Sequence, residues 1–326
     1  MARTPLRVTR RDLLLSAPLA ALALSACGGR HNAQANGLKL LMRGNGPDPD
    51  SLDPHKARSM EATVVLRDLF EGLTRLDHSA APIPGGAASW TVSDDGLVYT
   101  FKLRPGLKWS NGDPLIAADF AAGFRRLVDP ATASQYAQFV DVIVNATEIV
   151  VGKKQPSDLG VAAPDDTTVV ITLSSPTPYL PALLAHPCCA PLHRASLEKL
   201  GERFARAGEQ VSSGAFVLTE WLQGSSIRAA RNPHYWNNAA NRIDGVKYLQ
   251  IADENAELRA YRSGELHMTA VVPRGQFDWV RENLSKELHI SPQLSTYYFG
   301  FNLDKPQFQD ARVRRALSLV IDRERL

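Results

Sequence analysis

The sequence predicts a mixed α/β protein built in two lobes, and three observations lead there. At 326 residues the chain is too long for one simple core. Apolar stretches of strand period alternate with stretches of helix period, and turn signals separate them. No apolar run after Ala26 is long enough for a transmembrane helix, so the remainder is expected to be soluble. With 44% hydrophobic and 22% charged residues, disorder over most of the chain is not expected.

Residues 38–42, LKLLM, read as the first strand. Over 61–71, Leu66, Leu69 and Phe70 form a helical stripe with Leu73 beyond, and Gly72 is placed as the C-cap. Leu97, Tyr99, Phe101 and Leu103 alternate with Val98, Thr100 and Lys102, the pattern of a half-buried strand. Asn111-Gly112 and Asp113-Pro114 mark a turn. Phe120, Phe124 and Leu127 share a helix face, and Val169, Ile171 and Leu173 one side of another strand. The proline-rich stretch 174–187 is expected to cross between lobes. A strand over 242–253 and a helix from Glu254 follow. Near the end Asp310 reads as an N-cap. Val313, Ala316, Leu317, Val320 and Ile321 then recur at i, i+3, i+4, i+7 and i+8, an amphipathic helix whose stripe needs a partner.

A net charge of +3 invites a polyanion partner, but the excess is local. Arg3, Arg7, Arg10 and Arg11 against Asp12 account for all of it, so the rest of the chain is neutral. Nothing points to nucleic acid. Those arginines precede an apolar run over 13–24 and the small residues Ser25 and Ala26, the order of a secretory signal. The run closes on LSAC, which resembles the lipobox of bacterial lipoproteins and makes Cys27 the expected lipidated residue. An ordinary cleaved signal with an incidental cysteine is the alternative. Residues 28–37 have the composition of a flexible tether. The remaining cysteines, Cys188 and Cys189, are adjacent. They read as two small buried side chains, with a strained ring disulfide as the alternative.

Catalytic patterns are weak. SLEK at 196–199 matches Ser-x-x-Lys, but its companion motifs are absent. The chain has no G-x-S-x-G, H-E-x-x-H, P-loop or G-x-G-x-x-G. Asp94-Asp95 and Asp165-Asp166 sit in turn-like sequence beside strands and read as solvated turns. Neither an enzyme nor a metal or cofactor site is expected.

One block is far more specific. Residues 87–130, AASWTVSDDGLVYTFKLRPGLKWSNGDPLIAADFAAGFRRLVDP, closely resemble the family 5 extracellular solute-binding proteins, the peptide and nickel receptors of bacterial ABC importers. SLDPHKARSMEATVVLRDLFEGL, SSGAFVLTEW, RNPHYWN, YRSGELHM and DARVRRALSLVIDRE agree in order along the chain. DPATASQYA and STYYFGFN place the oligopeptide binders nearest. Within the blocks, Trp109, Tyr235 and Trp236 read as packing residues.

The resemblance implies a type II periplasmic-binding-protein-like clamp of two lobes around a hinge. It divides the chain into a signal peptide (1–26), a lipid-anchored linker (27–37), the first lobe (38–76 and 196–297), an inserted subdomain (77–195) and the start of a second lobe (298–326). Since relatives run on well past the last helix, the second lobe is expected to be largely missing. The implied function is extracytoplasmic binding of oligopeptides in extended form for transmembrane transport. Implied partners are the peptide, ABC permease subunits in the inner membrane and, through Cys27, a membrane facing the periplasm; the protein is expected to be a monomer. Implied ligand-binding residues are Arg58, Ser59 and Met60, which match the segment pairing with the peptide backbone, Tyr136, and Tyr297 or its neighbour Tyr298. An arginine at 58, where oligopeptide binders carry a carboxylate, implies a more acidic ligand, with a solvent-exposed arginine at the cleft rim as the alternative. The alternative is a truncated envelope lipoprotein outside transport, serving adhesion or signalling or inactive.

Overall fold

The computed structural model describes residues 38–291 and 298–323. The chain falls into two compact units, one ending at Asp278 and the other beginning at Trp279.

The first unit is organised around two four-stranded sheets. Strand β1, Leu40–Gly44, begins two residues later than the apolar run implies. It is followed by helix α1, Met60–Leu69, and the hairpin of β2, Thr74–Leu76, and β3, Pro82–Pro84. Next come β4, Ala87–Val92, and β5, Val98–Leu103, then helix α2, Ala117–Val128, then β6, Val161–Asp165, and β7, Thr168–Thr172. These strands form an antiparallel sheet in the order β4-β5-β7-β6. Tyr99, Phe101 and Leu103 are buried, as the alternation requires. Helix α2 covers β6 and β7, with Phe120, Phe124 and Leu127 fully buried. It approaches the chain at Ala190 so closely that a Cβ on Gly123 would lie 2.3 Å from the Ala190 carbonyl oxygen.

The other sheet runs β1-β10-β9-β8, from β8, Phe216–Leu222, β9, Ser226–Arg231, and β10, Gly245–Leu249. Strand β1 is parallel to β10, and Arg43 forms a further parallel bridge with Met268. Helix α3, Arg194–Leu200, precedes β8, and helix α4, Glu254–Ser263, follows β10.

Three details differ from expectation. Helix α1 ends at Leu69 with Phe70 in the cap position, so Gly72 is not its cap. Gly72 is needed for close packing instead, since a Cβ there would stand 2.7 Å from the Leu184 carbonyl oxygen. The proline-rich stretch does not cross between the units. It forms short turns at Leu180–Leu183 and Pro187–Cys189, and buries Leu180, Leu184, Cys188 and Cys189 in the common core. Apolar side chains between the prolines carried that information, which the turn signals masked. Tyr235 and Trp236 do more than pack: both donate hydrogen bonds to the Glu71 carboxylate, and Arg104 stacks on Trp236 at 3.7 Å. Cys188 and Cys189 are free buried thiols, as expected.

In the second unit, helix α5, Ala311–Val320, is capped by the Asp310 carboxylate, which accepts from the Arg312 amide. Ile321 lies just outside the helix, and Val313, Leu317 and Val320 are exposed.

Candidate functional site

In the first unit the parallel strands end at one edge. The Asn45 amide donates to the Leu249 carbonyl at 3.0 Å and the Gly44 amide to the Met268 carbonyl at 2.9 Å. Carboxyl ends of parallel strands are where open α/β sheets bind ligands, because helix N-termini and loops converge there. Glu257 on α4 braces this edge. Its Oε2 accepts from the Ala270 amide at 3.1 Å, and its Oε1 occupies the space that Gly44 leaves by having no side chain, 1.5 Å from where a Cβ would stand. Burial raises the Glu257 pKa.

The loop from β1 to α1 rises from this edge and is fixed at two levels. Below, Asp53 and His55 are buried against Arg126 of α2. Burial by itself would raise the Asp53 pKa, but the bonds and charge of Arg126 hold it below the usual range. Burial, then Arg126, pushes His55 down to about 4, so it is neutral at pH 7. Above, the Asp50 carboxylate accepts from the Arg58 amide at 3.0 Å, the Ser59 amide at 3.1 Å and Arg58 Nε at 3.3 Å. These bonds outweigh partial burial and lower its pKa.

The structure brings four of the sequence-predicted residues together here. Ser59 caps α1, its Oγ accepting from the Ala62 amide at 3.1 Å, which leaves the hydroxyl proton to donate elsewhere. An α-helix leaves its first amides without intrahelical partners, and with the Ser59 and Ala62 amides bonded, those of Met60 and Glu61 remain open. The Met60 side chain is 64% exposed. Tyr136 donates from its hydroxyl to the Arg58 carbonyl at 3.2 Å. Its ring lies 5.1 Å from Phe139 and 4.8 Å from His186, and the same 4.8 Å separates those two, so the three form one aromatic shelf. Burial, then the charge of Arg67, takes His186 down to about 4.

Tyr297 and Cys27 lie outside the described residues. Tyr298 is 77% exposed in the second unit. Sequence reading missed Asp50, Phe139 and His186. Asp50 had a faint signal in its turn-rich setting, GPDPDSLDP; nothing local marks the other two.

Other candidates resolve into structure. Ser196 Oγ lies 2.6 Å from His193 Nδ1, and His193 Nε2 3.0 Å from Asp113 Oδ2. The arrangement looks like a relay, but the Ser196 amide also donates to His193 Nδ1, so the imidazole is the cap of α3. Asp95 and Asp165 accept bonds inside their own turns. Among the described residues no group of three or more His, Cys, Asp or Glu side chains is arranged to hold a metal ion, and no helix is long and apolar enough to cross a membrane.

Fold and site thus define a binding scaffold of the periplasmic-binding-protein type II class. Residues 81–326 match the family described as bacterial extracellular solute-binding proteins, family 5 Middle, and the chain belongs to it. It is 42% identical to the periplasmic oligopeptide-binding protein OppA of Escherichia coli, over 97% of this chain and 60% of that protein. It is 38% identical to the probable deoxycholate-binding periplasmic protein YgiS of Escherichia coli, over 97% of this chain and 59% of that one. The crystal structure of Haemophilus influenzae OppA in complex with RPPGFSPFR superposes with a TM-score of 0.84 at 37% identity, over 89% of this chain and 57% of that one. The chain therefore spans about 60% of the length of these relatives.

Proposed function

We propose that this chain supplies one wall of an oligopeptide-binding clamp, the lipid-anchored solute-binding component of an ABC importer. The observation that carries this is the loop ending at Met60. Asp50 and Asp53 hold it at two levels, it leaves the Met60 and Glu61 amides open, and it lies beside the Tyr136 shelf. An extended peptide laid along it would offer backbone carbonyls to those amides and to the Ser59 hydroxyl, while a side chain rests on the aromatic rings. Backbone bonding of this kind gives affinity without demanding one sequence. A site already fixed before binding saves the ordering cost that a flexible loop would add.

In this reading the first lobe is 38–76 with 196–297, the inserted subdomain 77–195, and the second lobe begins at 298, with Tyr297 or Tyr298 near the hinge. The chain acts as a monomer without catalysis of its own, hands peptide to inner-membrane permease subunits, and leaves ATP hydrolysis to other subunits. Cys27 carries the lipid that keeps it on a membrane facing the periplasm.

Titration calorimetry of the full chain with tripeptides tests the ligand. Saturable heats that Tyr136→Ala weakens are expected, and their absence for every peptide overturns the reading. Incorporation of an alkyne-labelled fatty acid, lost in Cys27→Ser, is expected for the anchor. Equal labelling of the two would remove it from the proposal.

A further inference from the structure

Arg58 is the cationic side chain beside the open amides. Arg58 is held at its base: its amide and Nε both bond the Asp50 carboxylate, and its carbonyl accepts from Tyr136. Its tip is open. The side chain is 64% exposed, and among the described residues no partner bonds Nη1 or Nη2. An arginine fixed at Nε and free at both terminal nitrogens has its forked edge set to receive a planar carboxylate by two parallel bonds.

The surrounding groups do not cancel that preference. Asp50 pairs with Arg58 Nε and offsets part of its charge, but its two oxygens are taken up by the Arg58 amide, the Ser59 amide and Arg58 Nε, so the two terminal nitrogens keep their directional donors for a ligand. Glu61 turns toward Gly46, its Oε1 3.5 Å from the position of a Cβ there. His186 is uncharged at pH 7, and the Tyr136 phenol is kept protonated by burial.

Resting on the peptide-binding reading above, we propose that Arg58 makes this site select ligands bearing a carboxylate over basic ones. The carboxylate is that of an acidic side chain or of the peptide's own C-terminus.

The experiment is titration calorimetry of the full chain with Ala-Glu-Ala, Ala-Gln-Ala, Ala-Lys-Ala and the C-terminal amide of Ala-Gln-Ala. The Arg58→Gln and Arg58→Lys variants are run beside it, with a thermal melt of each to show that it folds. Ala-Glu-Ala is expected to bind at least about tenfold more tightly than Ala-Lys-Ala, with the ratio falling toward one in Arg58→Gln. Arg58→Lys, which keeps the charge but not the fork, should retain part of it. A loss on replacing Glu by Gln assigns the side chain as the source; a loss on amidation assigns the C-terminus. If all peptides bind but neither the Glu-to-Lys ratio nor the loss on amidation differs between the protein and Arg58→Gln, the selectivity proposal is overturned and peptide binding stands. If none binds, peptide binding falls and takes this inference with it.

Discussion

Arg126 grips Asp53 with both arms of its guanidinium, Nη1 2.8 Å from Oδ1 and Nη2 2.6 Å from Oδ2. Arg126 belongs to α2, which covers the antiparallel sheet, whereas Asp53 belongs to the loop that rises from the parallel edge. The pair therefore fastens the candidate site to the largest packed part of the unit. Both side chains are nearly buried, so the attraction is little screened by water, and removing one partner leaves a charge without compensation.

Arg126→Ala should accordingly destabilise the protein by about 3–5 kcal/mol, well beyond an exposed ion pair. Urea denaturation followed by circular dichroism measures it. A change below about 1 kcal/mol would show that the pair is not a fastening.

Acid should weaken the fold through its buried neutral histidines. His55 binds its proton at about 4 in the folded protein and at about 6.5 when unfolded. Between those values the unfolded chain takes up more protons, so stability falls as the pH drops from 6.5 toward 4. His55 alone should remove about 2 kcal/mol between pH 7 and pH 5, and His186 acts in the same sense. Asp53 extends the loss to lower pH, because its lowered pKa gives stability that disappears as it is protonated. Urea midpoints at pH 7 and pH 5 test this, and equal midpoints would count against a buried neutral imidazole.

Loosening the loop should reduce binding more than stability. In Asp50→Ala the Arg58 and Ser59 amides and Arg58 Nε lose their common acceptor, all at a partly exposed place. Peptide affinity should drop about tenfold or more while the melting temperature shifts by only a few degrees. Calorimetry beside a thermal melt separates the two, and undiminished affinity would mean that the loop does not touch the ligand.

Gly123→Ala should destabilise by about 1–3 kcal/mol or more, although alanine is the better helix former. The new methyl would meet the Ala190 backbone oxygen at 2.3 Å, and backbone in a packed core does not yield easily. A gain in stability would show that α2 can lift from the chain at Ala190.

Much of this architecture is legible in the sequence alone. The alternation at Tyr99, Phe101 and Leu103 and the helical repeat of Phe120, Phe124 and Leu127 both turned out to be buried faces. Each depends only on which way successive side chains point along one element. The errors have equally local causes. Gly72 lies near a helix end in sequence, yet its role is a contact with Leu184, more than a hundred residues away. The prolines at 176–187 looked like a boundary because proline breaks regular structure, but breaking a helix does not keep a segment out of the core.

The candidate site divides along the same line. Arg58, Ser59, Met60 and Tyr136 were found through motifs, because each motif is a run of neighbours. That Asp50 holds Arg58, that Arg126 reaches across to Asp53, and that His186 completes the shelf beside Tyr136 could not be found that way. By itself the sequence determined the class of fold, the family, the faces each element buries and the neutrality of the chain beyond its basic first residues. Only the tertiary structure decided which charges pair, which histidines stay neutral and which amides remain open. Those properties arise from burial and from distances between groups far apart in the chain, and neither quantity exists until the chain has folded.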